Sequence, residues 1–333
     1  MNNIIQKNAL ARIALSVIVL LTLLYPLTKP SNYMISTLVT CFVFSALGVC
    51  WNLIGGYGAQ ISWCHAAFVA IGAYTGMICY NSFGLSPLLS MPIGMLIAFV
   101  ISTIIGNMTF RLRGTYFSIA TIAFAEIVRV LLIYFEPITG GSLGAYVTYS
   151  GQNPFNLIFS NDTPFYYIML AALTIIVFIT SRFEKSKIGY SLRAIKGDED
   201  AAFSLGIKTF RVKLNAFQLS AVMTSAIGTL YAFFLTFIEP KGISGLDLSV
   251  KIGVVAIVGG VGTLWGPVLG AFIIIPLIEL AGTMLGQSGA TQLLYGLALV
   301  LVVMFKPDGV ISLFNRKAKQ IPAGMLADEE GSE

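Results

Sequence analysis

Ten apolar runs divide the chain, at approximately 10–28, 34–54, 65–80, 87–110, 115–135, 164–181, 214–238, 249–260, 265–285 and 290–305. A membrane-crossing helix takes roughly 20 apolar residues, and most of the runs reach or approach that length. Alternating strands of about ten residues, as an outer-membrane barrel needs, are absent. The pattern predicts an all-α, polytopic transmembrane helical bundle of about 8–10 spans over residues 1–315. Residues 316–333 form a short tail, acidic at its end and free of large apolar runs, and read as disordered.

Two runs, 65–80 and 249–260, are short, and each adjoins a glycine cluster. Ile54-Gly55-Gly56-Tyr57-Gly58 resembles Val258-Gly259-Gly260-Val261-Gly262. Gly-interrupted segments in comparable places of two halves suggest a duplicated core with broken or re-entrant helices lining a substrate path. The alternative is that the glycines allow close helix packing.

Composition agrees with the pattern. Of 333 residues, 56% are hydrophobic and 11% charged, against about 25% charged in soluble domains. The mean hydropathy is +0.85. Disorder, a coiled coil and an ordinary soluble enzyme are excluded. The net charge of +5 implies no nucleic-acid partner, because the basic residues gather in one loop and at the ends.

That distribution sets the orientation. Segment 182–213 carries Arg182, Lys185, Lys187, Arg193, Lys196, Lys208, Arg211 and Lys213, whereas 136–163 has no Lys or Arg. Lys and Arg mark cytoplasmic loops. The first segment is therefore expected inside and the second outside. Arg111 and Arg113 close the fourth run on the inside, and Lys7 and Arg12 with Lys306, Arg316, Lys317 and Lys319 put both termini in the cytoplasm. The first run is read as a retained helix, since no small-residue cleavage site follows it.

Few residues offer chemistry. Glu126 and Arg129 stand three apart in one apolar run and share a helical face. They read either as a gate or path lining, or as a structural intramembrane pair, expected to face inward. Glu279 reads either as a proton or cation site or as an interfacial acid without a role. Gln60, Ser62 and His65 form a polar cluster after the first glycine segment, suited to hydrogen bonding with unwound backbone or a polar substrate. His65 is the single histidine, and with Cys64 it lacks further ligands at metal-site spacing, so no metal is expected. Cys41, Cys50, Cys64 and Cys79 match no zinc or redox spacing. No G-x-x-x-x-G-K-[ST] loop exists, so ATP must be bound by another subunit, and no catalytic residues are expected.

The basic segment is longer than the 2–8 residues of a usual helix–helix link. Short helices are expected over 186–202, with Gly189, Gly197 and Gly206 as breaks. Asp200-Ala201-Ala202-Phe203-Ser204-Leu205-Gly206 would make a compact knob for a partner's cleft. The plainer reading is a solvated loop that only sets orientation.

These residues resemble a known family. Asp200-Ala201-Ala202 with Gly206 is similar to the E-A-A-x-x-x-G signature of ABC-importer permeases, with Asp200 in the glutamate's place and Glu199 just before it. The run Ser186-Lys-Ile-Gly-Tyr-Ser-Leu-Arg193-Ala-Ile-Lys196 looks like the LivM-type branched-chain amino acid permeases. So do Gly56-Tyr57 with Gln60-Ile-Ser-Trp-Cys-His-Ala-Ala-Phe68, Arg111-Leu-Arg-Gly-Thr-Tyr116, Phe124-Ala-Glu-Ile-Val-Arg129, Gly259–Gly270 and Phe305-Lys-Pro-Asp-Gly309. The likeness runs from about residue 34 to about 313.

The resemblance implies a multi-pass subunit of a bacterial plasma (inner) membrane importer for Leu, Ile and Val. Urea or short amides are the alternative cargo within the family. It implies a LivH-like second permease subunit, two cytoplasmic ABC ATPases and an extracytoplasmic substrate-binding protein as partners. It also implies that the ATPase docks on the loop around Arg193, Asp200, Ala201, Ala202 and Gly206. A stand-alone secondary transporter using Glu279 or Glu126 is the competing class.

Overall fold

The computed structural model describes residues 22, 24–28, 30–112, 114–149, 151–285 and 309–313, with the single positions 296, 297, 300 and 304. The first apolar run up to residue 21, most of the tenth, the tail from 316 and the motif residues 305–308 lie outside them.

The described chain folds into α1 (Asn32–Gly55), α2 (His65–Phe83), α3 (Pro87–Thr109), α4 (Thr115–Tyr134), α5 (Thr163–Glu184), α6 (Lys187–Gly197), α7 (Glu199–Ser204), α8 (Thr209–Leu235), α9 (Leu246–Gly259) and α10 (Gly266–Leu285). Among the described residues, seven helices are long and apolar enough to cross a membrane, if the one-turn helix Pro240–Ser244 is counted as prolonging α9, and the stretch 266–280 of α10 is a shorter apolar one. Local chemistry fixes their ends. Ser31 accepts the amide of Met34 at the start of α1, Gly84 closes α2 at φ +64°, and Pro87 opens α3, where its missing N–H costs nothing.

α1, α2, α8 and α9 form the centre, and α3, α4 and α5 lie outside with large exposed faces. Small residues let α2 and α8 touch backbone to backbone. A Cβ on Gly72 would overlap the Ser225 carbonyl, and one on Gly228 the Val69 carbonyl. Thr229 Oγ1 also donates to Gly72 O at 2.9 Å. Without a hydrophobic drive between helices in lipid, such close contacts and interhelical hydrogen bonds hold the bundle together.

The bundle has two unlike ends. At one, Arg111, the basic segment and the starts of α4 and α8 gather, with Phe110 stacked on Phe117 and edge-on to Phe210. At the other lies segment 136–162. It is tied down by Ser36 Oγ to Asp162 (2.6 Å), by Asn81 Nδ2 to Tyr146 O (2.8 Å) and by a two-residue antiparallel ladder of β1 (Ala145–Tyr146) with β2 (Phe237–Ile238).

The run 65–80 is an uninterrupted helix, with the irregular backbone beside it at 56–64. Two expectations change. α8 begins at Thr209, ahead of its apolar run, because Lys213 turns inward to an ion pair. Gly189 does not break the loop helix but lies within α6, against the carbonyls of Phe183 and Glu184.

Candidate functional site

Segment 56–64 leaves helical geometry between α1 and α2, and unpaired buried peptide groups are costly. Side chains from four neighbours satisfy them. Trp51 Nε1 on α1 donates to Ser62 O (2.8 Å), and Thr121 Oγ1 on α4 accepts the Trp63 amide (3.0 Å). Ser118 on α4 donates to Ile61 O (2.7 Å), and Ser249 on α9 accepts the Ala66 amide (3.0 Å). His65 is fully buried. Its Nε2 lies 2.8 Å from Ser220 Oγ, which in turn donates to Cys50 O (2.6 Å). Ser62 is buried beside Cys64 (3.2 Å), and Gln60 is half-buried, its amide bonded to Ile54 O. The segment is thus irregular, held in one conformation and sheathed in polar groups.

The two glycine clusters meet below it, at the basic end. Asn52, one turn before the end of α1, donates from Nδ2 to Thr263 O (2.8 Å) and accepts the Gly262 amide on Oδ1 (2.8 Å). Gly55 lies under the Trp51 indole, and Gly58 lies against Ile54 O and Leu192. Gly259 packs on Gly266 O, and Gly260, at φ +131°, packs on Gly309. Lys196 Nζ donates to Gly56 O at 3.0 Å. Tyr57 is buried beneath the Arg193 guanidinium, 5.7 Å from ring centre to Cζ. Burial, and then the Glu184 carboxylate, push its phenol well above the usual tyrosine range.

The basic segment is a helical hairpin. Ser186 caps α6, and Asp198 Oδ1 caps α7 by accepting the amides of Asp200 and Ala201 at 2.9 Å each. α6 buries Leu192 and Ile195, and Arg193 pairs with Glu184 on α5. α7 is pinned by Glu199, 2.6 Å from the buried Lys213 ammonium on α8. Ala202 is buried and Asp200 and Ala201 are exposed. Beyond them the chain turns at Gly206, φ +86°. The tip presents Phe203, 68% exposed, and Leu205, 83% exposed.

Other candidates fall elsewhere. Glu126 and Arg129 are bonded to each other (Nε to Oε2 2.9 Å), but on the outer face of α4, with the Glu126 side chain 55% exposed. The inward position expected of the pair is therefore not seen. α4 buries only the stripe of Phe117, Thr121, Ala125 and Val128, and the pair lies off that stripe. Glu279 lines a cavity of about 500 Å³ with Tyr33, Phe42, Tyr166 and Phe272, toward the end opposite the basic segment.

Residues 33–304 match the family described as the branched-chain amino acid transport system permease component. The chain belongs to this family. Similar proteins include the high-affinity branched-chain amino acid transport system permease protein LivM of Escherichia coli K12, 28% identical over 86% of this chain and 71% of that one. LivM of Salmonella typhimurium LT2 is 27% identical over 89% and 73%. The probable branched-chain amino acid transport permease protein LivH of Methanocaldococcus jannaschii is 25% identical over 77% and 84%. No solved structure matches.

Two residues of this permease make contacts that the sequence pattern did not mark, Asn52 in the site and Lys251 away from it. Asn52 joins positions 211 apart in sequence, which no local pattern reveals. Lys251, on α9, stacks its ammonium 4.2 Å from the Phe44 ring centre, within electrostatic range of Glu279. A lysine inside an apolar run was a readable signal.

Proposed function

We propose that this permease is the membrane-spanning subunit of an ATP-driven importer for leucine, isoleucine and valine. The cargo is that named for its LivM relatives. In this reading the basic end, with both termini, faces the cytoplasm of a bacterial inner membrane, an orientation supported by its eight basic residues over 182–213. The cargo passes beside the irregular segment 56–65 and the glycine turns at 259–262. Fixed polar groups there meet the ammonium and carboxylate, and apolar walls meet the side chain. One methylene discriminates by only about 1–3 kcal/mol in such a pocket, so a delivering binding protein carries much of the selectivity. A LivH-like permease completes the path, and two ABC ATPases bind and hydrolyse the ATP, with no cofactor or catalytic residue in this chain.

One observation carries the reading: the α6–α7 hairpin leaves Phe203 and Leu205 exposed at the tip of a basic, otherwise polar segment. Exposed apolar groups rimmed by charge mark an interaction surface, and a cleft on an ATPase is the occupant that an importer permease needs. Leu205→Glu should abolish co-purification of the ATPase and labelled-leucine uptake, with membrane insertion unchanged. Full uptake by that variant would reject the docking role.

A further inference from the structure

Three segments that are far apart in sequence meet at one ammonium group at the basic end. α6 buries Leu192 and Ile195 against the bundle and carries Lys196 in its last turn. Lys196 Nζ donates to Gly56 O, at the C-terminal cap of α1. The last carbonyls of a helix lack helical donors and carry partial negative charge, and here a cation from another segment answers them. Gly262 closes the same site. A Cβ there would stand 3.1 Å from Lys196 Nζ and 3.3 Å from Gly56 O, and its φ of +78° suits glycine. Asn52 holds Gly262 and Thr263 with both ends of its amide.

The hairpin's two ion pairs with the bundle engage differently. Arg193 pairs with Glu184 on α5, and Lys213 receives Glu199 of α7. These contacts fix the hairpin to α5 and α8. Lys196 alone among the three grips main chain, and it does so where α1 and the turn after α9 touch.

We infer that Lys196 is a positioning residue for energy coupling: it latches α6 to the joined ends of α1 and α9, so that a displacement of the hairpin moves both glycine turns together. The inference deepens the proposed function and rests on the hairpin being the ATPase dock. It assigns Lys196 no contact with cargo.

The test uses the complete complex, with partner permease, ATPases and binding protein, in proteoliposomes, with ATP hydrolysis and labelled-leucine uptake measured together. Lys196→Met should keep hydrolysing ATP while leucine carried per ATP falls roughly fivefold or more, the range of ordinary coupling energies. Lys196→Arg, which reaches the same carbonyl, should restore the ratio. An unchanged ratio in Lys196→Met, or equal losses in both variants, overturns the latch. If Lys196→Met does not accumulate, spin labels at the exposed Ala194 and Val261 of an otherwise unaltered complex decide. A separation that stays constant between nucleotide-free and ATP-bound states supports the latch, and one that changes overturns it. The docking reading fails separately, if Leu205→Glu complexes retain their ATPases and full uptake.

Discussion

Lys213, whose side chain is 2% exposed, enters the bundle from α8 and ends 2.6 Å from the carboxylate of Glu199 on α7. The two partners are unequal, since Glu199 keeps a quarter of its side chain in solvent. Removing one partner of a buried pair costs about 3–5 kcal/mol when the other charge stays buried. Glu199→Ala strands the buried lysine and should destabilise toward that range. Lys213→Met frees a carboxylate that can hydrate, and should cost about 1–2 kcal/mol after that discount. Thermal unfolding in detergent of the two variants and the double variant measures both. Equal shifts would show that the burial asymmetry is immaterial.

The α2–α8 seam should tolerate no side chain at its glycines. Gly72→Ala and Gly228→Ala each drive a methyl into a carbonyl on the facing helix, so the helices must separate, at a cost of about 1–3 kcal/mol each. Gly282→Ala on α10 meets no atom of the described residues within 4 Å, and should be neutral or stabilising by up to about 1 kcal/mol through helix propensity. Melting temperatures in detergent distinguish the two outcomes.

The chain His65–Ser220–Cys50 O predicts a second stability effect. Ser220→Ala leaves both the imidazole Nε2 and the Cys50 carbonyl without this partner in a dry interior. The Cys50 carbonyl keeps its helical donor within α1, so the cost is that of the orphaned imidazole nitrogen, about 1–3 kcal/mol. Ser220→Thr keeps the hydroxyl and should retain more stability than Ser220→Ala. Identical melting of the two would argue that the bond is not formed.

Glu126 and Arg129 should depend on each other. A lone charge within a spanning helix costs a few kcal/mol on insertion scales. Glu126→Gln and Arg129→Gln should each lower the steady-state membrane level. The exchange Glu126→Arg with Arg129→Glu should recover it, because an i, i+3 pair re-forms. Leucine uptake by the exchanged form then separates the two roles, since a structural pair leaves transport intact and a path lining does not.

The helices were legible where run boundaries coincide with caps: Ser31 before α1, Gly84 after α2, Pro87 opening α3. Charge concealed the start of α8, because hydropathy assigns Arg211 and Lys213 to solvent and cannot see that Lys213 turns inward. A glycine signals a break only when its backbone needs freedom, and Gly189 instead serves a close approach inside a helix. The likeness of the two glycine clusters was visible in the sequence. Their meeting was not, because it depends on Asn52 bridging positions more than 200 residues apart. The irregular backbone was expected among the glycines, and its extension to Cys64 follows from side chains on α1, α4 and α9 that fold topology alone brings together.

The short ladder between Ala145–Tyr146 and Phe237–Ile238 closes α5 through α8 into a ring, with the hairpin at its far pole. A protease that nicks the exposed tip near Leu205 would therefore sever the polypeptide without parting the two pieces. The pieces stay hooked at the opposite pole and packed along their length, which makes this tip a place where the gene can be split and the halves co-expressed.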